Sequence, residues 1–207
     1  MMNRYIIRGT IASAALAGGS FYWYYKNLLP LTSLDSLPSN SLLRNTVAKK
    51  GLTSTPYLDY FVFRIPKEKL RDEYRGLNEK DLTNQYLKSF FTSRLFQLED
   101  GLLQLLGVAK KSTADDYKFN VNNTIGPFTV VERNQNEILN SWDFDGIGGL
   151  NYFLVTDEKD FIEFGYGNTC WKYVDSKAVP LGYNDLASKI HRIYGRILMH
   201  LALKSLI

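Results

Sequence analysis

The sequence predicts an α+β domain in which a curved antiparallel sheet packs against one long C-terminal helix, with a transmembrane helix at the N-terminus. Three observations support this prediction. Near the end of the chain, apolar residues recur every three or four positions, as on one helix face: Leu186, Ile190, Ile193, Ile197 and Leu201. Several strand-like segments precede this helix without helices between them. Residues 9–25 carry no charge.

Composition limits the possible functions. With 207 residues, 45% of them hydrophobic and 22% charged, the chain is long enough for one globular domain and an appendage. The net charge is +4, but the Lys and Arg residues are scattered, which favours a nearby anionic membrane over nucleic acid. Cys170 is the only cysteine and there are two histidines, so neither a disulfide framework nor a zinc site is expected. No cofactor is predicted.

Residues 1–27 are predicted to be a targeting segment and membrane anchor. The start contains arginines and no acidic residue before Asp35, and the uncharged stretch ends in the aromatic run 21–25 followed by Lys26. A cleaved secretory signal, a mitochondrial presequence and a buried core helix are the alternatives. The basic, acid-free start favours a single-pass protein of the mitochondrial membrane, with the endoplasmic reticulum as the alternative, and the orientation stays open.

Residues 28–56 are predicted to be a linker or loosely attached arm. Pro30, Pro38 and Pro56 punctuate a stretch rich in Leu, Ser, Thr and Asn. The globular domain is therefore expected to span residues 57–207.

The first half of this domain is predicted to contain one strand and two helices. The aromatic and β-branched segment 57–64 is a strand that ends before Pro66. A short charged helix is expected over 67–74. A longer helix is expected over 79–106, with a break at Asp100-Gly101 and an end at Gly107.

The second half is predicted to be an antiparallel meander followed by the long helix. Strands are expected over 128–133, 137–144, 150–156, 160–164 and 169–174, because turn residues separate them at short intervals. Gly165 and Gly167 are interpreted as a bulge or bend. The last helix is expected over 184–206, with Asn184 as its cap.

This order of elements resembles the helix-grip fold of the START and birch-allergen-like superfamily. Within that superfamily, the chain is similar to an uncharacterised family in the segments 59–61, 91–94, 105–107, 126–131 and 191–196. The resemblance implies the fold over residues 57–207 and a small hydrophobic ligand. It supplies no catalytic residues, and the family pattern does not include a membrane anchor.

Six residues are predicted to line a ligand pocket. They are the strand residues Trp142, Tyr152, Tyr166 and Trp171 and the helix residues His191 and Tyr194. Ordinary core packing is the alternative for the four strand residues, and a satisfied histidine at the edge of the core is the alternative for His191. His200 lies on the opposite helix face from His191, so the two do not form a metal site. Glu163 would become relevant only as an inward acid–base partner of His191.

The sequence is compatible with three functional hypotheses. The first is a membrane-anchored domain that binds or shuttles a small apolar ligand such as a lipid or quinone-like molecule. The second is a non-enzymatic scaffold or assembly factor that holds a membrane protein partner. The third is a cyclase- or hydrolase-type enzyme, for which the sequence offers no catalytic motif. The expected partners are the lipid membrane, through residues 9–25, and the apolar ligand.

Overall fold

The computed structural model describes residue 34 and the ranges 37–52, 57–144, 146–175, 177–180 and 186–207. These ranges contain four α-helices: α1 (Leu42–Lys49), α2 (Glu79–Phe91), α3 (Arg94–Leu105) and α4 (Leu186–Lys204). They also contain seven strands, at β1 (Tyr57–Pro66), β2 (Thr124–Ile125), β3 (Phe128–Arg133), β4 (Glu137–Phe144), β5 (Ile147–Asp157), β6 (Phe161–Val174) and β7 (Lys177–Pro180).

The strands form one open antiparallel sheet in the order β1-β6-β5-β4-β3-β2. β7 pairs with the end of β6, next to the stretch that pairs with β1. The predicted α+β class, with an antiparallel sheet and a C-terminal helix, is therefore confirmed.

The sheet separates two apolar clusters. Its helical face, defined by Phe61, Phe153, Phe164 and Tyr166, packs with residues of α2 and the second half of α4. Its α1 face, defined by Leu58, Tyr60, Leu139, Tyr152 and Trp171, packs with residues of α1. Side chains alternate between the two faces along each strand, so the register decides which residues meet on each side.

Helix α1 corrects the expectation that residues 28–56 are only a linker or loosely attached arm. Ser41 caps this helix by accepting a hydrogen bond from the Arg44 backbone N–H at 3.3 Å. Leu43 and Val47 are fully buried against the α1 face of the sheet. Residues 37–52 are therefore part of the core, because the second sheet face is apolar and needs this cover.

Strand β6 corrects the expectation of a bend at Gly165 and Gly167. Its pairing with β1 and β5 runs without interruption through both glycines, so the two predicted strands are one. A Cβ at Gly165 would lie 2.5 Å from the Tyr60 hydroxyl oxygen. The glycine at this position makes room for the tyrosine and does not bend the strand.

Two helical segments also differ from the prediction. The predicted long helix is two helices, which meet at Thr92-Ser93, and the Ser93 side chain caps α3. The break expected at Asp100-Gly101 does not occur. Asp100 is buried there and accepts a hydrogen bond from Gln104 at 2.7 Å. The expected helix over 67–74 is a single 3₁₀ turn, Lys67–Lys69, because Leu70 is extended and buried.

The N-terminal anchor prediction and the Asn184 cap lie outside the described residues. Across the ranges that are described, none of the helices has the length and apolar character needed to cross a membrane.

Candidate functional site

Four buried polar side chains lie side by side on four neighbouring strands of the helical face. We call them the polar row: Asp59 on β1, Asn168 on β6, Asn151 on β5 and Asn140 on β4. Directly paired residues in antiparallel strands point to the same face, and the adjacent positions on this face belong to the apolar cluster of Phe61, Phe153 and Tyr166. No member of the polar row is more than 2% exposed. Strand asparagines are uncommon, so a row of three in register is a feature that needs an explanation.

The polar row is only partly satisfied. The Asn168 amide donates to the Asn151 side-chain oxygen and, at 3.3 Å, to the Leu150 carbonyl oxygen. Both polar atoms of the Asn140 side chain, and Oδ1 of Asn168, have no hydrogen-bond partner among the residues that the structure describes. An unpartnered buried polar group costs about 1–3 kcal/mol, whereas an apolar residue here would cost nothing.

Helix α4 closes over one end of the polar row. The Arg192 Nε atom forms an ion pair with Oδ1 of Asp59 at 2.7 Å. One turn further along, the Arg196 guanidinium lies 4.7 Å from the centre of the Phe61 ring. Between these arginines, a Cβ at Gly195 would lie 2.8 Å from the Tyr166 ring, so the absence of a side chain lets α4 approach the sheet closely.

Trp142 continues the helical face one step beyond Asn140 on β4. It pairs across to Gly149, and the indole covers this glycine so closely that any Cβ there would clash with the ring. Its Nε1–H is buried and has no hydrogen-bond acceptor within the described ranges. Asn140 and Trp142 therefore present two unpartnered N–H donors on the same face of one strand.

Histidine 191 and tyrosine 194 lie on α4 at the edge of this region, and both are half-buried. Burial lowers the pKa of His191 to about 4, so its imidazole is neutral at physiological pH. The Tyr194 hydroxyl donates a hydrogen bond to Oε2 of Glu99 on α3. Desolvation raises the pKa of Glu99, although the bond from Tyr194 lowers it, and burial raises the pKa of Tyr194.

The six residues predicted to line the pocket do not converge. Trp142 and Tyr166 are on the helical face, and Tyr194 and His191 are on the helix that covers it. Tyr152 and Trp171 are on the α1 face, where the Tyr152 hydroxyl donates to Glu137 and Lys50 stands 5.1 Å from the Trp171 ring. A single pocket can therefore contain at most four of the six.

The acid–base pair considered for the enzyme hypothesis, Glu163 with His191, is not assembled. Glu163 lies on the opposite sheet face from α4, since its neighbours Ile162 and Phe164 belong to the helical face, and it pairs with Arg64 at 3.0 Å. Among the residues with described positions, no three His, Cys, Asp or Glu side chains form a group that could hold a metal ion.

An open cleft of about 400 Å³ lies elsewhere, between the start of α2 and the turn after β1. Leu70, Tyr74 and Leu82 contribute its apolar wall, and none of the polar row lines it. Its Lys67 is already paired with Asp157 at 2.5 Å. Because Lys67 and Asp157 neutralise each other and the mouth of the cleft is open, we regard the polar row as the better candidate site.

Sequence reasoning missed the polar row. Asn140, Asn151 and Asn168 stand in three separate strands, and only the register brings them into line. A signal was present in each segment, because asparagine in the middle of an otherwise apolar strand is unfavourable. No known protein family matches this chain, and neither does any curated protein.

Proposed function

We propose that this protein binds or shuttles a small apolar ligand, of lipid or quinone type, between the helical face of the sheet and α4. The observation that carries the proposal is the buried, unpartnered side chain of Asn140 within the polar row. Ligand sites are mostly apolar with a few fixed polar groups that orient the ligand. The polar row beside the aromatic cluster has this composition.

The unpartnered groups indicate the chemistry of the ligand. Asn140 and Trp142 are two residues apart on one strand, so their side chains leave the backbone about 7 Å apart on the same face. Both offer N–H donors. An apolar molecule with one or more carbonyl oxygens would accept these hydrogen bonds and pack its body on the neighbouring rings.

The proposal includes a helix-grip architecture and a membrane anchor. An antiparallel sheet whose last helix lies over one end of a buried polar row agrees with the helix-grip resemblance. The Asp59–Arg192 ion pair also joins two of the segments on which that resemblance rests. The uncharged residues 9–25 would hold the domain at a membrane, where apolar ligands partition. The location we propose is the mitochondrial membrane.

The test compares two variants that each remove an unpartnered buried polar group, one from each of the two strands that flank β5. Asn140→Leu changes the helical face. Thr169→Val changes the α1 face, where the Thr169 hydroxyl is also buried without a hydrogen-bond partner within the described part of the chain. The full chain and both variants are purified from membranes in mild detergent, and co-purified small molecules are measured by native mass spectrometry and solvent extraction.

We expect the wild type and Thr169→Val to retain an apolar, carbonyl-bearing molecule at near one-to-one stoichiometry. Asn140→Leu should retain at least about tenfold less, the loss expected for one or two buried hydrogen bonds. Equal retention by all three proteins would place the ligand elsewhere. Empty, folded wild-type protein would contradict the proposal and favour the scaffold hypothesis.

A further inference from the structure

Helix α3 has an apolar face that the domain itself does not cover. Leu98 is 72% exposed and Leu105 is 86% exposed, and three further apolar side chains beside them are also exposed. We call this set the leucine surface: Leu98, Leu102, Leu105, Leu106 and Val108. Leu98, Leu102 and Leu105 are spaced by four and three residues, so they form one stripe along the helix.

The other side of α3 already provides the contacts that hold it in place. Phe96 is buried against Phe91 and Phe128, and Asp100 is buried beside Gly126. The leucine surface is therefore not needed to attach α3 to the domain. A stripe of exposed leucines in register is unusual on a surface and marks an interaction site.

The charges around the leucine surface indicate what it contacts. Arg94 is exposed one turn before Leu98 on the same face, and Lys110 and Lys111 are exposed just after Val108. Residues 101–114 contain no acidic side chain. Leucines flanked by cations that can reach outward match the surface of a bilayer containing anionic lipids.

We propose that the leucine surface lies on the anionic lipid bilayer and fixes the orientation of the domain there. The chain between Lys26 and Leu37, the first residue of the continuous core, is short. Eleven residues span at most about 40 Å, so the proposed anchor would keep the domain within about one domain diameter of the membrane. This tether argument depends on the anchor, whereas the arguments from exposure and charge do not.

The experiment uses the full chain in lipid nanodiscs. Hydrogen exchange of residues 98–108 is compared in discs of phosphatidylcholine, in discs that also contain phosphatidylserine, and in a lipid-free amphipathic polymer. In parallel, an environment-sensitive dye is attached at Leu105→Cys in a Cys170→Ala background, and lipids with a quencher in the acyl chain report insertion. Val179→Cys on β7 is the control site, because Val179 is also apolar and exposed.

We expect protection of residues 98–108 and quenching at position 105 in anionic discs, with neither effect at position 179. Leu98→Gln combined with Leu102→Gln should reduce the docked population at least about tenfold. Replacing Arg94, Lys110 and Lys111 by Gln should abolish the preference for phosphatidylserine.

Three outcomes would overturn this proposal. The first is exchange at residues 98–108 that does not differ between anionic discs and lipid-free polymer. The second is protection without lipid that increases with protein concentration, which would assign the surface to a second copy of the chain. The third is protection without lipid that is independent of concentration, which would assign it to residues 9–25 of the same chain. The ligand site tested above is unaffected by any of these results.

Discussion

At the scale of single residues, Asn140 is the clearest case of a side chain that opposes stability. It is fully buried and both of its polar atoms are unpartnered among the described residues. We therefore expect Asn140→Leu, which keeps the branched shape and the number of side-chain heavy atoms, to raise the free energy of unfolding of ligand-free protein by about 1–3 kcal/mol. Urea denaturation of the full chain in mild detergent measures this change. A destabilised Asn140→Leu variant would contradict this expectation and would remove the main support for the ligand site.

His191 makes stability depend on pH. Burial lowers its folded-state pKa to about 4, while the unfolded value is near 6.5. Between these values the unfolded chain binds the additional proton, so the contribution of His191 to stability falls as the pH decreases from 6.5 towards 4. His191→Gln removes this contribution, and its denaturation curves should lose less stability over this window than those of the wild type. The variant controls for carboxylates that titrate in the same range. Identical pH dependence in both proteins would contradict the burial of this imidazole.

At the scale of elements, helix α1 is the piece whose role differs most from expectation. Leu43 of this helix is fully buried against the sheet, so Leu43→Ala should lower the free energy of unfolding by about 2–5 kcal/mol. Leu105→Ala is the matched control, since Leu105 is 86% exposed and its truncation should change stability by less than about 0.5 kcal/mol. Denaturation of both variants without lipid gives the comparison. Similar small effects would mean that α1 is indeed a loose arm.

Elements with a clear local signal were predictable, and elements that depend on distant partners were not. Strands β3 and β4 were predicted with their observed bounds, because turn residues flank each alternating segment. The local pattern divides β6 into two strands, because a glycine between apolar segments predicts a bend. In the structure, Gly165 instead makes room for the Tyr60 side chain on β1, which the local pattern does not contain. Helix α1 was missed for the same reason, since its partner is a sheet face formed about a hundred residues later. The polar row depends on the register of four strands, which local patterns do not determine.

At the scale of the whole molecule, the sheet keeps two different environments apart. The α1 face is closed by apolar packing and the Tyr152–Glu137 hydrogen bond, while the helical face combines an aromatic cluster with the polar row. Helix α4 packs on the helical face, where its Arg192 forms an ion pair with Asp59. If a ligand occupies this region, it binds the folded state alone and must stabilise the entire domain.

Ligand removal should therefore be visible as a loss of global stability. A ligand present at about a hundred times its Kd adds about 2.7 kcal/mol, which for a domain of this size corresponds to about 5–10 °C in Tm. Extraction of the purified wild type with apolar resin should lower its Tm by this amount, and the Thr169→Val variant should respond equally. Asn140→Leu should change little on extraction, since it holds little ligand to lose. Differential scanning fluorimetry before and after extraction measures all three. Equal Tm losses in Asn140→Leu and wild type would mean that the stabilising molecule does not use the polar row.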